Sequence, residues 1–220
     1  MTSRALPHTK PLKALAHRLE KRSHSHPFTI YFVTGTDTGV GKTMVTCHLI
    51  RMLRGMDVNV GALKPVCCGD RHDAKQLCKA MDDRFDLELV NPIHLPRPVA
   101  PVAQPSPHWN TILSRTCRAT RALRDSGVNI VLMEGAGGLL CPVARQHTMR
   151  EIAEAVNARM IIVAWNRLGV LNHTLLTLEA AAKSPLEAIV LSRVPGGRDL
   201  SQNSNAAVLA RWTRVPIYST

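Results

Sequence analysis

The segment that decides the fold reads Ile30-Tyr31-Phe32-Val33-Thr34-Gly35-Thr36-Asp37-Thr38-Gly39-Val40-Gly41-Lys42-Thr43. A β-branched apolar run leads into a loop with three glycines, and residues 44–53 then have the apolar spacing of an amphipathic helix. This order is typical of a phosphate-binding loop, because glycines allow backbone N–H groups to turn toward phosphate oxygens at a helix start. The first glycine of the usual motif falls on Thr36, so the loop is a longer variant.

The end of the loop supplies the predicted nucleotide contacts. We expect Lys42 to lie along the β- and γ-phosphates and the Thr43 hydroxyl to face a magnesium ion. Gly39, Val40 and Gly41 would contribute backbone N–H groups. A glycine-rich turn that binds nothing is the alternative, and the combination of strand, loop, Lys-Thr and helix disfavours it.

Composition bounds the class of protein. The 220 residues are enough for one sizeable core, 45% of them are apolar, and the mean hydropathy is −0.04. No apolar run approaches the roughly 18 residues of a membrane span, so the sequence predicts a globular protein with no membrane partner. The formal charge is +12, but aromatic residues make up only 4%, which does not favour a nucleic-acid surface.

The first 27 residues differ from the rest. They contain six Lys or Arg residues against one Glu, and they lack the apolar core of a secretory signal. We therefore predict a basic, disordered extension over 1–27 and a single domain over 28–220, with a mitochondrial transit peptide as the alternative reading of the extension. The six cysteines form no Cys-x-x-Cys pair, which is typical of reduced thiols in a cytoplasmic protein.

From Phe28 onward, apolar strands alternate with amphipathic helices. Strands are predicted over 28–34, 58–64, 129–134, 160–165, 188–191 and 215–218, and helices over 42–55, 72–82, 109–126, 148–157, 170–183 and 201–212. A proline-rich stretch over 91–107 is predicted to be irregular. The fold class is α/β, a mainly parallel sheet with helices on both faces, of the P-loop NTPase type. Function is expected at the carboxyl ends of the strands.

Three polar groups follow predicted strands at that rim. Lys64 is either a solvated lysine or a second cation for transferring phosphate. Asp73 stands at a helix start, as an N-terminal cap or a magnesium ligand. Glu134 precedes three glycines and one alanine, and it suits a second metal ligand better than a surface turn because the residues before it are apolar.

These residues resemble the dethiobiotin synthetase family. The likeness covers about Phe28 to Tyr218 and rests on the loop, on Lys64-Pro65-Val66, on Glu134 to Gly138 and on Gly169-Val170-Leu171-Asn172-His173. It implies a homodimeric ligase of biotin synthesis that depends on magnesium and ATP. It further implies that 7,8-diaminononanoate and CO2 are closed into dethiobiotin, through a carbamate and a carbamic-phosphoric anhydride.

The resemblance also assigns roles to residues. Lys42, Lys64 and Thr38 would be catalytic, and Thr43, Asp73 and Glu134 would hold magnesium. The helix start at Gly169, Val170, Leu171 and Asn172 would bind the carboxylate of the substrate in the other subunit. Cys68 falls where the family has a substrate-contacting serine, and a thiol is a weaker hydrogen-bond donor.

Two departures lie at the far end of the sequence. The family usually has an asparagine after the fifth strand that reads the nucleotide base, and this sequence has Ser192 there, which we include among the nucleotide contacts. The sequence also ends at Thr220, which we interpret as an apparent truncation, since relatives continue with a segment that helps enclose the base. The hypothesis is relaxed nucleotide specificity or weak nucleotide affinity.

Three alternatives stay open. The first is a partition-type P-loop ATPase, but the lysine that such proteins carry early in the loop is replaced here by Asp37. The second is a catalytically impaired, truncated relative that acts as a nucleotide-binding module. The third is a basic nucleic-acid-binding protein, which predicts salt-sensitive binding that depends on residues 1–27.

Overall fold

The computed structural model describes residues 9–193 and 199–220. The strands are β1 Lys10–Pro11, β2 Thr29–Gly35, β3 Val60–Leu63, β4 Val66–Cys68, β5 Ile93–Leu95, β6 Ile130–Gly138, β7 Pro142–Ala144, β8 His147–Thr148, β9 Arg159–Trp165, β10 Leu186–Ser192 and β11 Ile217–Ser219. The helices are α1 Leu12–Ser25, α2 Lys42–Arg54, α3 His72–Ala80, α4 Leu87–Val90, α5 Trp109–Asp125, α6 Met149–Ala155, α7 Val170–Ala180 and α8 Asn205–Trp212. Short 3-10 turns cover Pro101–Ala103 and Leu200–Asn203.

Seven strands form one sheet in the order β1-β11-β10-β9-β2-β6-β3. The pairings found within this sheet in the described residues are parallel. Strand β2 lies between β6 and β9, so the loop that follows it opens at the centre of the carboxyl rim. Two further pairs, β4 with β5 and β7 with β8, stand apart from the main sheet.

The apolar residues of β10 show that both faces of the sheet are covered. Ala188 and Val190 belong to the larger buried cluster, while Ile189 and Leu191 belong to a second cluster with residues of α7 and α8. Successive side chains of a strand point to opposite faces, so an unbroken apolar run is what a doubly covered parallel strand requires. The predicted fold class, a mainly parallel sheet with helices on both faces, is confirmed.

The prediction of a disordered extension is wrong for the part of residues 1–27 that is described. Lys10 and Pro11 pair in parallel with Tyr218 and Ser219 at the edge of the sheet. Helix α1 follows at once, and four of its apolar residues are buried in the larger core cluster: Leu12, Leu15, Ala16 and Leu19. These four stand at the spacing of one helix face, so their burial outweighs the basic composition of the segment. Residues 1–8 lie outside the described part.

The remaining predicted elements match the structure to within a few residues, apart from two details. The helix predicted over 201–212 begins later, at Asn205, after a 3-10 turn. The proline-rich stretch contains the short strand β5 and one 3-10 turn, although the rest is irregular as predicted. In the ranges 9–193 and 199–220, no helix is both long enough and apolar enough to cross a membrane.

Candidate active site

The loop between β2 and α2 has the backbone conformation of an anion-binding loop. Gly39 and Gly41 have φ angles of 75° and 91°, in the left-handed region that favours glycine. Gly41 is the N-cap of α2, so the loop runs directly into the free N–H groups of the helix start. The Asp37 carboxylate accepts a hydrogen bond from the Thr38 N–H at 2.7 Å and steadies the first turn of the loop.

Lys42 reaches back across this loop. Its side chain is buried, and Nζ donates to the carbonyl oxygen of Asp37 at 3.0 Å. Burial and, to a smaller extent, the nearby positive charge of Lys64 together lower the pKa of Lys42 to about 8. Among the described residues Lys42 forms no ion pair with a carboxylate, which leaves its amine available to an incoming anion.

Lys64 has the opposite environment. Nζ donates to Glu134 Oε1 at 2.6 Å, to Asp73 Oδ2 at 2.8 Å and to the Gly135 carbonyl oxygen at 3.2 Å, and the residue is 2% exposed. Burial alone would lower the pKa of Lys64, but the two carboxylates outweigh it and raise the pKa well above its usual range. Lys64 is thus a fixed, charged group between two acidic side chains, and not a solvated lysine.

The Glu134 carboxylate is only half satisfied. Oε1 accepts from the Thr43 hydroxyl at 2.8 Å as well as from Lys64, while Oε2 is buried and has no hydrogen-bond partner in the part of the chain that the structure describes. A buried carboxylate oxygen is costly to leave unpaired, so this atom is suited to a cation. The predicted metal ligands Thr43, Asp73 and Glu134 are thus brought together around Lys64.

Asp73 is not the cap of its helix. The N-cap of α3 is Arg71, and Asp73 lies in the first turn with its carboxylate on Lys64. Burial raises the pKa of Asp73, but Lys64 has the larger combined effect and holds it below its usual range. No group of three or more His, Cys, Asp or Glu side chains suited to a metal occurs in the described parts of the chain. The two carboxylates and the hydroxyl of Asp73, Glu134 and Thr43 are nevertheless oxygen donors of the kind that Mg²⁺ prefers.

These groups open into one cavity of about 610 Å³. The predicted site residues that line it are Thr38, Gly39, Gly41, Lys42, Thr43, Lys64, Cys68 and Asp73. Val40 and Glu134 are buried behind this surface. Cys67 also lines the cavity, as its place beside Cys68 at the end of a predicted strand indicates, but the sequence did not indicate Cys141 or the wall formed by residues 98–101. The prolines of that wall predicted an irregular segment, but they carried no signal for where it would lie.

Two predicted parts of the site are elsewhere. Ser192 is fully buried, and its hydroxyl donates to the Val40 carbonyl oxygen at 2.6 Å. The Ala164 carbonyl oxygen is a second, longer acceptor at 3.3 Å from the same hydroxyl. Ser192 therefore lies behind the loop with its hydroxyl engaged by backbone carbonyls, and a direct nucleotide contact by this residue stays a prediction. Gly169 caps α7 with a φ of 92°, and no residue from Gly169 to Asn172 lines the cavity of its own chain.

Comparison with known proteins agrees with this geometry. A family model described as an AAA domain matches residues 29–218. The ATP-dependent dethiobiotin synthetase BioD of Anaeromyxobacter dehalogenans strain 2CP-C is 39% identical over 189 residues, 83% of this chain and 84% of the relative. The chain belongs to the dethiobiotin synthetase family. Other dethiobiotin synthetases are similar: that of Mycobacteroides abscessus is 38% identical over 193 residues, 86% of this chain and 84% of the relative. That of Methanocaldococcus jannaschii is 36% identical over 153 residues, which are 67% of this chain and 71% of the relative.

This dethiobiotin synthetase family member also shares its fold with solved structures of low sequence identity. The signal recognition particle receptor FtsY of Elizabethkingia anophelis superimposes with a TM-score of 0.58 at 13% identity, over 94% of this chain and 64% of that one. The signal recognition particle 54 kDa protein of Aeropyrum pernix K1 in complex with GDP superimposes with a TM-score of 0.55 at 14% identity. The match covers 99% of this chain and 50% of that one. The P-loop type of the predicted fold is confirmed.

Proposed function

We propose that this protein is a dethiobiotin synthetase, a ligase that uses ATP to convert 7,8-diaminononanoate and CO2 into dethiobiotin, ADP and phosphate. The observation that carries the proposal is that Lys42 and Lys64 line one cavity beside the glycine loop. Lys64 is held there by hydrogen bonds to the carboxylates of Asp73 and Glu134. The dethiobiotin synthetases to which the chain is 36–39% identical support the same reaction. The names of these relatives and the P-loop also support ATP as the phosphoryl donor.

The proposed chemistry has three steps. One amine of the substrate attacks CO2 and forms a carbamate with loss of a proton. A carbamate oxygen then attacks the γ-phosphorus of ATP, which breaks the bond to ADP and gives a carbamic-phosphoric anhydride. The second amine attacks the carbonyl carbon and loses a proton, the C–O bond to phosphate breaks, and the urea ring closes as phosphate leaves.

Negative charge accumulates on oxygen atoms in each step, so the protein contributes mainly positive charge and position. We propose that Lys42 neutralises phosphoryl oxygens and that Lys64, fixed by Glu134 and Asp73, faces the carbamate. Thr38 and the N–H groups of Gly39 to Gly41 would hold the phosphates. Thr43, Asp73 and the Oε2 oxygen of Glu134 would hold Mg²⁺, which would neutralise negative charge on the phosphates when bound.

The experiment that tests this proposal is a product assay. Purified protein is incubated with 7,8-diaminononanoate, bicarbonate, Mg²⁺ and ATP, and dethiobiotin is sought by mass spectrometry. We expect product that depends on ATP and on bicarbonate. Nucleotide-dependent thermal stabilisation without any product, from protein shown to be folded, would favour the alternative of a non-catalytic nucleotide-binding module.

Ser192 gives a reason to examine nucleotide preference. Its single O–H is engaged by the Val40 carbonyl, so it has no donor left for a base. We propose that base recognition is weak, and we expect kcat/KM values for ATP, CTP and GTP within about tenfold of one another, a difference worth about 1.4 kcal/mol. Strict use of ATP would contradict this.

We also propose that the chain acts as a homodimer in the cytoplasm. The Val170 N–H donates to the Arg167 carbonyl oxygen at 3.0 Å, but the N–H groups of Leu171 and Asn172 lie in the first turn of α7, where a helix supplies no acceptor of its own. Leu168 and Leu176 beside this helix start are 81% and 56% exposed. A second copy would bring this helix start to the substrate carboxylate. Light scattering should give twice the chain mass, and Asn172→Ala should raise the KM for 7,8-diaminononanoate more than it lowers kcat. A monomer with full activity would contradict the proposal.

A further inference from the structure

A second cleft lies at the opposite end of the sheet from the candidate active site. It has a volume of about 490 Å³ and is bordered by the first residues of β2 and β9 and by the later turns of α1 and α5. The lining residues that matter here are Arg22, Arg121, Arg124 and Arg159. We call it the amino-end cleft.

The charge of the amino-end cleft is one-sided. Four arginines converge on it from three separate elements: Arg22 from α1, Arg121 and Arg124 from α5, and Arg159 from β9. No Asp or Glu lines it within residues 9–193 and 199–220. Two carboxylates lie nearby, Glu187 at 2.6 Å from Arg159 and exposed Asp125 at 3.7 Å from Arg124, and Glu187 is shared with Arg18. They leave an excess of positive charge.

Arg22, which lines the cleft, has an unused hydrogen-bond donor. Its Nε is buried and finds no acceptor among the residues that the structure describes. Buried donors in folded proteins are nearly always satisfied, and an unpaired guanidinium N–H is especially costly. An anion in the cleft would supply the missing acceptor oxygens.

We propose that the amino-end cleft binds a small anion that carries two or more phosphate groups. Guanidinium groups present planar pairs of N–H donors that match phosphate oxygens, and four of them exceed what a single negative charge would require. The volume is that of a small-molecule site. The proposal does not rest on the dethiobiotin synthetase assignment, because no group proposed for that reaction lines this cleft.

The test uses inorganic pyrophosphate as the probe. The protein is first saturated with ADP, so that the loop at Lys42 is occupied, and pyrophosphate is then titrated by calorimetry. We expect one saturable site per chain. Arg121→Glu should weaken binding at least about tenfold, since it removes one charged contact and adds a repulsive one. Arg118→Glu is the matched control, because it makes the same charge change on an exposed residue of α5 outside the cleft.

Three results decide the proposal. Binding that survives in Arg118→Glu but weakens in both Arg121→Glu and Arg124→Glu, with the rate of nucleotide turnover unchanged, supports it. Absence of saturable pyrophosphate binding to the ADP-saturated wild-type protein overturns it. Equal weakening in Arg118→Glu and Arg121→Glu also overturns it, because that result reports general surface charge.

Discussion

Two lysines of the candidate active site differ in the partners that hold them. Lys64 is enclosed by Glu134 and Asp73, so its charge is compensated before any ligand arrives. Lys42 contacts only a backbone carbonyl among the described residues, and burial holds its pKa at about 8. Lys42 is therefore the group whose charge depends on phosphate binding, while Lys64 is a permanent feature of the site.

This difference predicts a pH dependence for nucleotide capture. Lys42 is protonated below about pH 8 and loses its charge above it, so kcat/KM for ATP should fall as the pH rises through that value. The kcat at saturating ATP should fall only at higher pH, because bound phosphates raise the pKa of the ammonium group. Initial rates across a pH series test both parts. A kcat/KM that stays level from about pH 7 to 9.5 would contradict the account, since a lysine with a pKa near 8 titrates within that range.

A second prediction concerns the unpaired oxygen of Glu134. Glu134→Gln preserves size but removes the anionic charge, so the Mg²⁺ concentration for half-maximal activity should rise about tenfold or more. Glu88→Gln is the control, because that side chain is 79% exposed and is not among the residues that line the cavity. Mg²⁺ titrations of the rate are the measurement. Equal Mg²⁺ requirements in the two variants would remove Glu134 from the metal site.

At the scale of elements, α1 shows how composition can mislead. The spacing of Leu12, Leu15, Ala16 and Leu19 is that of an amphipathic helix, but the surrounding basic residues and histidines indicated a solvated tail. The helix N-cap is Pro11, which offers no side-chain cap, so the local sequence lacks the usual start signal. The surface that α1 covers, near α2 and β11, exists only in the folded sheet and could not be inferred from the tail alone.

The burial of α1 predicts a large contribution to stability. Leu15→Ala and Leu19→Ala should each lower the free energy of unfolding by about 2–5 kcal/mol, the usual cost of removing a fully buried leucine side chain. Leu200→Ala serves as the matched control, because Leu200 is 87% exposed. Chemical denaturation of the three variants tests this. Losses at positions 15 and 19 no larger than that of the control would show that α1 is not part of the cooperative core.

Glu187 links α1 to the sheet by charge. Its carboxylate accepts from Arg18 on α1 at 2.5 Å and from Arg159 on β9 at 2.6 Å. Burial raises the pKa of Glu187, but the two arginines outweigh it and hold the pKa below its usual range. The stabilisation is therefore present above about pH 4.3, the unfolded value, and is lost as the pH falls through the lower folded value. When the free energy of unfolding is plotted against pH, Glu187→Gln should reduce the loss of stability at acidic pH. The same change at exposed Glu88 should leave the charged contact between Glu187 and α1 intact.

At the scale of the molecule, the sequence was most informative where chemistry demands a fixed order of residues. The loop, Lys64 and Glu134 follow apolar strands, and parallel topology then requires them to share one rim, as they do. The sequence was least informative where distant segments meet. Cys141 and residues 98–101 enter the cavity through turns that have no periodic signal. Ser192 was aligned with a base-reading position, yet its hydroxyl is used by the loop itself.

The most direct test of the central claim is dethiobiotin formation by Lys42→Ala beside Lys75→Ala. Lys75 is an exposed lysine of α3 outside the active-site cavity, so the pair isolates the role of the loop. The account predicts that Lys42→Ala loses activity by about 10³-fold or more while its unfolding temperature stays close to that of the wild type, and that Lys75→Ala remains fully active. Full dethiobiotin formation by Lys42→Ala would contradict the assignment of this loop as the site of phosphoryl transfer.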